Sequence, residues 1–167
     1  MDKSARMIKF MSTASVVLGL GVTAFWFVQN DAAQAQVPLQ PVASDIVAGE
    51  MLYATSCASC HGANLEGQAD WRSPGDDGKL PAPPHDKDGH TWHHGDALLF
   101  NYTKLGGKAA LAEQGMDFNS GMPGFSDSLT DAEIWNILGY IKSTWPERMR
   151  ETQASRTKSE QLQGALE

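Results

Sequence analysis

Cys57-Ala58-Ser59-Cys60-His61 sets two thiols and an imidazole side by side, and Cys57 and Cys60 are the only 2 cysteines of the 167-residue chain. Thiols at this spacing can each add across a vinyl group of a haem to give thioethers. The histidine that follows can then supply the fifth ligand of the iron through a ring nitrogen. Other chemistries use the same atoms. A structural zinc site needs a second pair of ligands, and no partner Cys-x-x-Cys exists to complete it. A thioredoxin-like redox pair needs a βαβ pattern around it, which the flanking sequence lacks. A simple disulfide leaves His61 without a role. Covalent haem is the reading that uses all three side chains.

Four further histidines, His85, His90, His93 and His94, fall close together downstream. Such a group can bind copper or zinc, and one of them could replace another ligand on an iron. No spacing among them is diagnostic of a metal site. The plainer reading makes them loop residues, bonded to haem propionates or to one another, with Trp92 packed at the haem edge.

Gly49-Glu50-Met51-Leu52-Tyr53 leading into Cys57-Ala58-Ser59-Cys60-His61-Gly62, with Met122-Pro123-Gly124-Phe125 downstream, resembles a class I c-type cytochrome over about residues 44 to 146. The similarity is strongest to bacterial single-haem cytochromes. The resemblance implies an all-α, small cytochrome c fold wrapped around one covalently bound haem c. It implies Cys57 and Cys60 as the tethers, with His61 and a methionine sulfur as axial iron ligands. Met122, in the loop before the terminal helix, matches the family's methionine. Met116 is the weaker candidate and reads better as a flexible gap-filler. Thioether paired with histidine raises the reduction potential and closes the iron to outside ligands, which suits an electron carrier.

These residues need helices to hold them. A first helix is expected from Ser44 as N-cap, with Asp45 in its first turn. Ile46, Gly49, Leu52 and Tyr53 share one of its faces, and Gly49 leaves room for another backbone. In the resembled family this is where the first and last helices cross. Residues 62–95 are broken by Gly75, Gly78, Pro81, Pro83, Pro84 and Gly89 and carry no period. A connection this long is expected to do a job, here walling one haem edge. A second helix runs from Asp96 to the stop at Gly106-Gly107, and Lys108 to Gln114 makes a further turn. Thr130-Asp131-Ala132-Glu133 is a capping box. Ile134, Ile137, Leu138, Ile141 and Trp145 then form one apolar face, ended by Pro146. Residues 147–167 are polar and evenly charged, and read as a frayed solvated helix or a disordered tail.

Residues 1–36 read as a targeting segment. Lys3, Arg6 and Lys9 precede 19 uncharged residues from Phe10 to Val28, a polarity that leaves the N-terminus in the cytoplasm. Ala33-Gln34-Ala35 is a small-residue cleavage site, giving a soluble periplasmic protein if cut after Ala35. The uncharged run exceeds the roughly 7–15 residues of a signal-peptide core and can cross a bilayer. Length therefore favours an uncleaved anchor in the cytoplasmic membrane, with residues 37–43 as a linker. Either fate puts the 44–146 domain in the periplasm.

That domain carries 14 acids against 6 bases. Phosphate backbones need a basic surface, so nucleic acid is excluded as a partner. Acids near an exposed haem edge would steer the domain towards a basic patch on a redox protein, such as a membrane dehydrogenase or oxidase complex. The expected function is therefore single-electron transfer and not catalysis. Two alternatives stand beside it: a haem enzyme or enzyme subunit oxidising a small substrate, and a copper-binding haem module built on the His85 to His94 loop.

Overall fold

The computed structural model describes Gln40, Pro41 and residues 43–164. The expected targeting segment, residues 1–36, lies outside these residues. Among the described residues the chain is helical without strands: α1 Ile46–Ser56, α2 Ala58–His61, α3 Asp96–Leu105, α4 Gly107–Ala112, α5 Asp131–Ser143 and α6 Glu147–Gly164, with a 3-10 turn at Thr91–His93. None of these helices is both long and apolar enough to cross a membrane.

Helix α1 begins one residue later than expected. Asp45 and not Ser44 is its N-cap, and the Asp45 carboxylate accepts from the N–H of Ala48 at 3.0 Å. A carboxylate there also meets the positive end of the helix. Ser44 instead accepts a bond from Gln40. Gly49 and Tyr53 are buried and Leu52 packs on the core, as their spacing requires, whereas Ile46 stays exposed. A Cβ on Gly49 would lie 2.1 Å from the carbonyl oxygen of Asn136, so this glycine is the point where α1 crosses α5.

Helix α5 carries the core. Its capping box is complete: Thr130 accepts from Glu133 N–H, and the Glu133 carboxylate accepts from Thr130 N–H at 2.8 Å. Ile134, Trp135, Ile137, Leu138 and Ile141 are all buried. Each such side chain contributes about 1.5–3 kcal/mol, against about 1 kcal/mol for a cap. Burial of this face therefore outweighs the box, which mainly fixes where the helix starts. The helix ends at Ser143 with Thr144 as C-cap, before the expected stop at Pro146, and Pro146 instead leads into α6.

The polar segment after Pro146 is helical over Glu147–Gly164. It forms α6, which lacks an apolar stripe and is held by polar side chains. Helix α3 starts from Gly95, which has no side chain to cap it. Glu160 accepts from the N–H groups of Gly95 and Ala97 at 3.2 and 3.1 Å, and Thr157 accepts from Asp96 N–H at 3.0 Å. Three orphan donors of α3 are thus satisfied from α6. Gln153 is buried and donates to the Asp96 carboxylate at 2.7 Å, which also pairs with Lys142 of α5. Burying Asp96 is tolerable because both partners reach it.

Candidate functional site

The three residues of the Cys-x-x-Cys-His pattern share one turn. Cys60 N–H and His61 N–H both donate to the carbonyl of Cys57, at 3.1 and 3.0 Å. Residues at i, i+3 and i+4 of such a turn face the same way, so both thiols and the imidazole are presented together. Cys57 is buried, Cys60 is exposed, and the two are not joined as a disulfide. Burial, aided by the neighbouring Cys60, pushes the Cys57 thiol up to about 11. A redox-exchanging cysteine needs the thiolate, and this buried environment favours the neutral thiol.

His61 is buried. Its Nδ1 lies 2.8 Å from the carbonyl oxygen of Pro83. A carbonyl only accepts, so Nδ1 carries the proton and Nε2 keeps its lone pair for a metal. Burial lowers the His61 pKa more than the Pro83 bond raises it. The imidazole is therefore neutral at physiological pH, which is the ligating form.

The loop supplying Pro83 is laid against the segment after His61. Gln68 N–H donates to Ala82 carbonyl at 2.9 Å, and Ala82 N–H donates to the Gln68 side chain at 2.8 Å. Gly67 has φ 69° and a Cβ there would sit 2.4 Å from the nitrogen of Pro84, so only glycine lets the two strands of chain meet. Tyr53 of α1 donates its hydroxyl to the Gly62 carbonyl at 2.8 Å, closing the turn from the other side.

Met122 is held on a different element. Gly107 N–H donates to its carbonyl and its own N–H bonds the Ser120 hydroxyl, each at 3.2 Å, while Phe125 N–H donates to the Thr103 carbonyl at 3.1 Å. These bonds stitch the methionine loop to the junction of α3 and α4. Gly106, at φ 85°, makes that junction, and a Cβ there would meet Gly124 nitrogen at 2.7 Å. Met122 is partly buried, whereas Met116 is exposed.

The four downstream histidines do not act as one group. His85 lies against His61. His90 and His94 meet edge to face at 5.2 Å, and His93 stacks on Trp92 at 3.7 Å. Among the described residues no three His, Cys, Asp or Glu side chains are gathered as around a metal ion. His90 Nδ1 and Trp92 Nε1 are buried without hydrogen-bond partners. An indole N–H can only donate, so Trp92 requires an acceptor of the kind a haem carboxylate provides. Together with the free Nε2 of His61 and the paired thiols, these orphaned atoms fit a haem. Trp135 Nε1 is also buried unpaired, and nothing in the structure explains it.

Reading the sequence missed Pro83, Gly67 and Tyr53 as parts of this site. Pro81, Pro83 and Pro84 marked an aperiodic connection, but a carbonyl acceptor leaves no mark in side-chain chemistry.

The family model for Cytochrome c matches residues 46–145. Thiosulfate dehydrogenase of Stutzerimonas stutzeri (strain A1501) is 30% identical over 111 residues, covering 66% of this chain and 31% of that protein. The chain thus aligns with about a third of that relative's length.

Proposed function

The chain belongs to the cytochrome c family, and from that premise we propose that it is a periplasmic single-electron carrier with one haem c, tethered by Cys57 and Cys60 and ligated by His61 and Met122. Haem-based electron transfer follows from the family; the single haem, the ligand pair, the compartment and the partners are our reading. The observation that carries the reading is the neutral, buried His61 with Nδ1 tied to Pro83 and Nε2 free. Bound haem supplies an iron that gains and loses one electron. Everything else is the work of the chain. The Cys57 to His61 turn presents the attaching groups on one side, Pro83 fixes the tautomer of the ligand, and the buried helices keep water away from it. The bonds from Gly107 and Ser120 hold the Met122 main chain, and its thioether would serve as a further iron ligand. The leader would place the domain outside the cytoplasmic membrane, anchored or released, where membrane dehydrogenases or oxidases can exchange electrons with it.

The test is the spectrum and potential of the haem-loaded protein. Met122→Ala should abolish the methionine-to-iron charge-transfer band and lower the reduction potential. A variant that keeps the parent's band and potential would remove Met122 from the ligand set.

The similarity to thiosulfate dehydrogenase favours one second reading, in which this domain is the haem unit of an enzyme oxidising a small sulfur anion. Carbon monoxide and thiosulfate separate the two. A carrier leaves reduced haem unresponsive to carbon monoxide and is not reduced by thiosulfate alone. Ready carbon monoxide binding with reduction by thiosulfate would put the enzyme reading first.

A further inference from the structure

His85 is set apart from its three neighbours by what it touches. Its imidazole lies face to face with that of His61, ring centroids 4.0 Å apart and planes 23° from parallel. Tyr53 closes the same space, its ring edge-on to His85 at 6.4 Å. The placement of His85 is fixed from three directions. Its Nδ1 shares a hydrogen with the Thr91 hydroxyl at 2.7 Å. Its backbone N–H donates to the Leu65 carbonyl at 2.8 Å, and its carbonyl accepts the indole N–H of Trp145 at 2.7 Å. Leu65 adopts the left-handed region, φ 67°, while buried. A non-glycine residue there is strained, and the fold keeps that strain at the residue that anchors His85.

A hydrogen bond to Pro83 restrains only one edge of the His61 ring, and the ring can still turn about that edge. A flat partner against its face removes the remaining freedom. The Nε2 lone pair lies in the ring plane, so fixing the plane fixes where the ligand points. A leucine in place of His85 would fill the space without defining a plane, and could not be tied to Thr91.

We propose that His85 is a positioning residue for the iron ligand His61: Pro83 holds the donor edge of the His61 imidazole and the stacked His85 ring sets its plane. Outer partners of metal-bound histidines commonly set ring orientation by hydrogen bonding; here an aromatic face does so. The proposal rests on the reading that His61 binds haem iron.

The experiment compares the holoprotein with His85→Leu, His85→Phe and Thr91→Val, after measuring covalent haem in each. Proton NMR of the oxidised forms records the hyperfine-shifted haem methyl resonances, whose order and spread respond to the plane of an axial imidazole. Thermal stability is measured on the same samples, because loss of packing lowers it without touching that pattern. His85→Leu should change the methyl pattern, whereas His85→Phe and Thr91→Val, each of which keeps a flat ring against His61, should keep the parent's. If His85→Leu takes up no haem, the phenylalanine and valine variants carry the same comparison. A leucine variant with the parent's pattern, or a phenylalanine or valine variant without it, would overturn the proposal. A parent chain that binds no covalent haem would overturn the haem reading instead, so the two failures are distinguishable.

Discussion

A methyl group added at Gly49 would press on the carbonyl of Asn136 at 2.1 Å, a backbone atom that cannot swing aside. Gly49→Ala should therefore push α1 away from α5 and cost about 1–3 kcal/mol, the range for overfilling a packed contact. The urea midpoint of the holoprotein reads this directly; a midpoint equal to the parent's would mean that the helices can slide apart freely. At this scale the sequence was readable wherever a residue's own type carried its role. Cys57, Cys60 and His61 declare themselves by local spacing, and Gly49 by its place on a helical face. Pro83 and Leu65 act through main-chain carbonyls, and His85 acts through a stacking contact. Pro83 meets His61 across 22 residues of chain, and no pattern along the sequence encodes that meeting.

Helices α3, α4 and α5 were legible because their signals are local: a glycine stop, a capping box and a repeat of apolar residues. A helix was among the expectations for α6 but its docking was not, since that docking uses side-chain-to-backbone bonds where an apolar stripe would be expected. The same bonds make it testable. Glu160→Ala removes both acceptors from Gly95 and Ala97, and should cost about 1 kcal/mol, as loss of a helix cap does. Amide exchange at Gly95 and Ala97 should quicken while exchange within α5 stays at the parent's rate. Unchanged exchange at those two amides would mean that α6 does not cap α3 in solution. The first-turn shift of α1, from Ser44 to Asp45, has a similar origin. Either residue can cap; in the fold Asp45 does, and Ser44 takes a bond from Gln40.

Across the whole molecule, His85, His90 and His94 all have pKa values held below the usual 6.5, in each case chiefly by burial and then by neighbouring charges; His85 is held furthest below. The folded chain thus keeps these rings neutral where the unfolded chain would protonate them. For bases with lowered folded pKa, stability is complete above the unfolded value and is lost as pH falls from there through the folded values. The urea midpoint of the holoprotein should accordingly be level above about pH 7 and decline below about pH 6.5, near the unfolded histidine value. His94→Gln should make the decline shallower. A midpoint indifferent to pH between about 7 and 5, spanning the ordinary histidine range, would mean that the rings are solvated after all.

The bond from Trp145 to the carbonyl of His85 spans 60 residues, and the cap on α3 comes from later still. A chain made from its N-terminus therefore exposes Cys57, Cys60 and His61 well before α5 and α6 exist. The site is closed only when the last helices to be synthesised have docked. The order of manufacture, as well as the final geometry, is written into which contacts close the site.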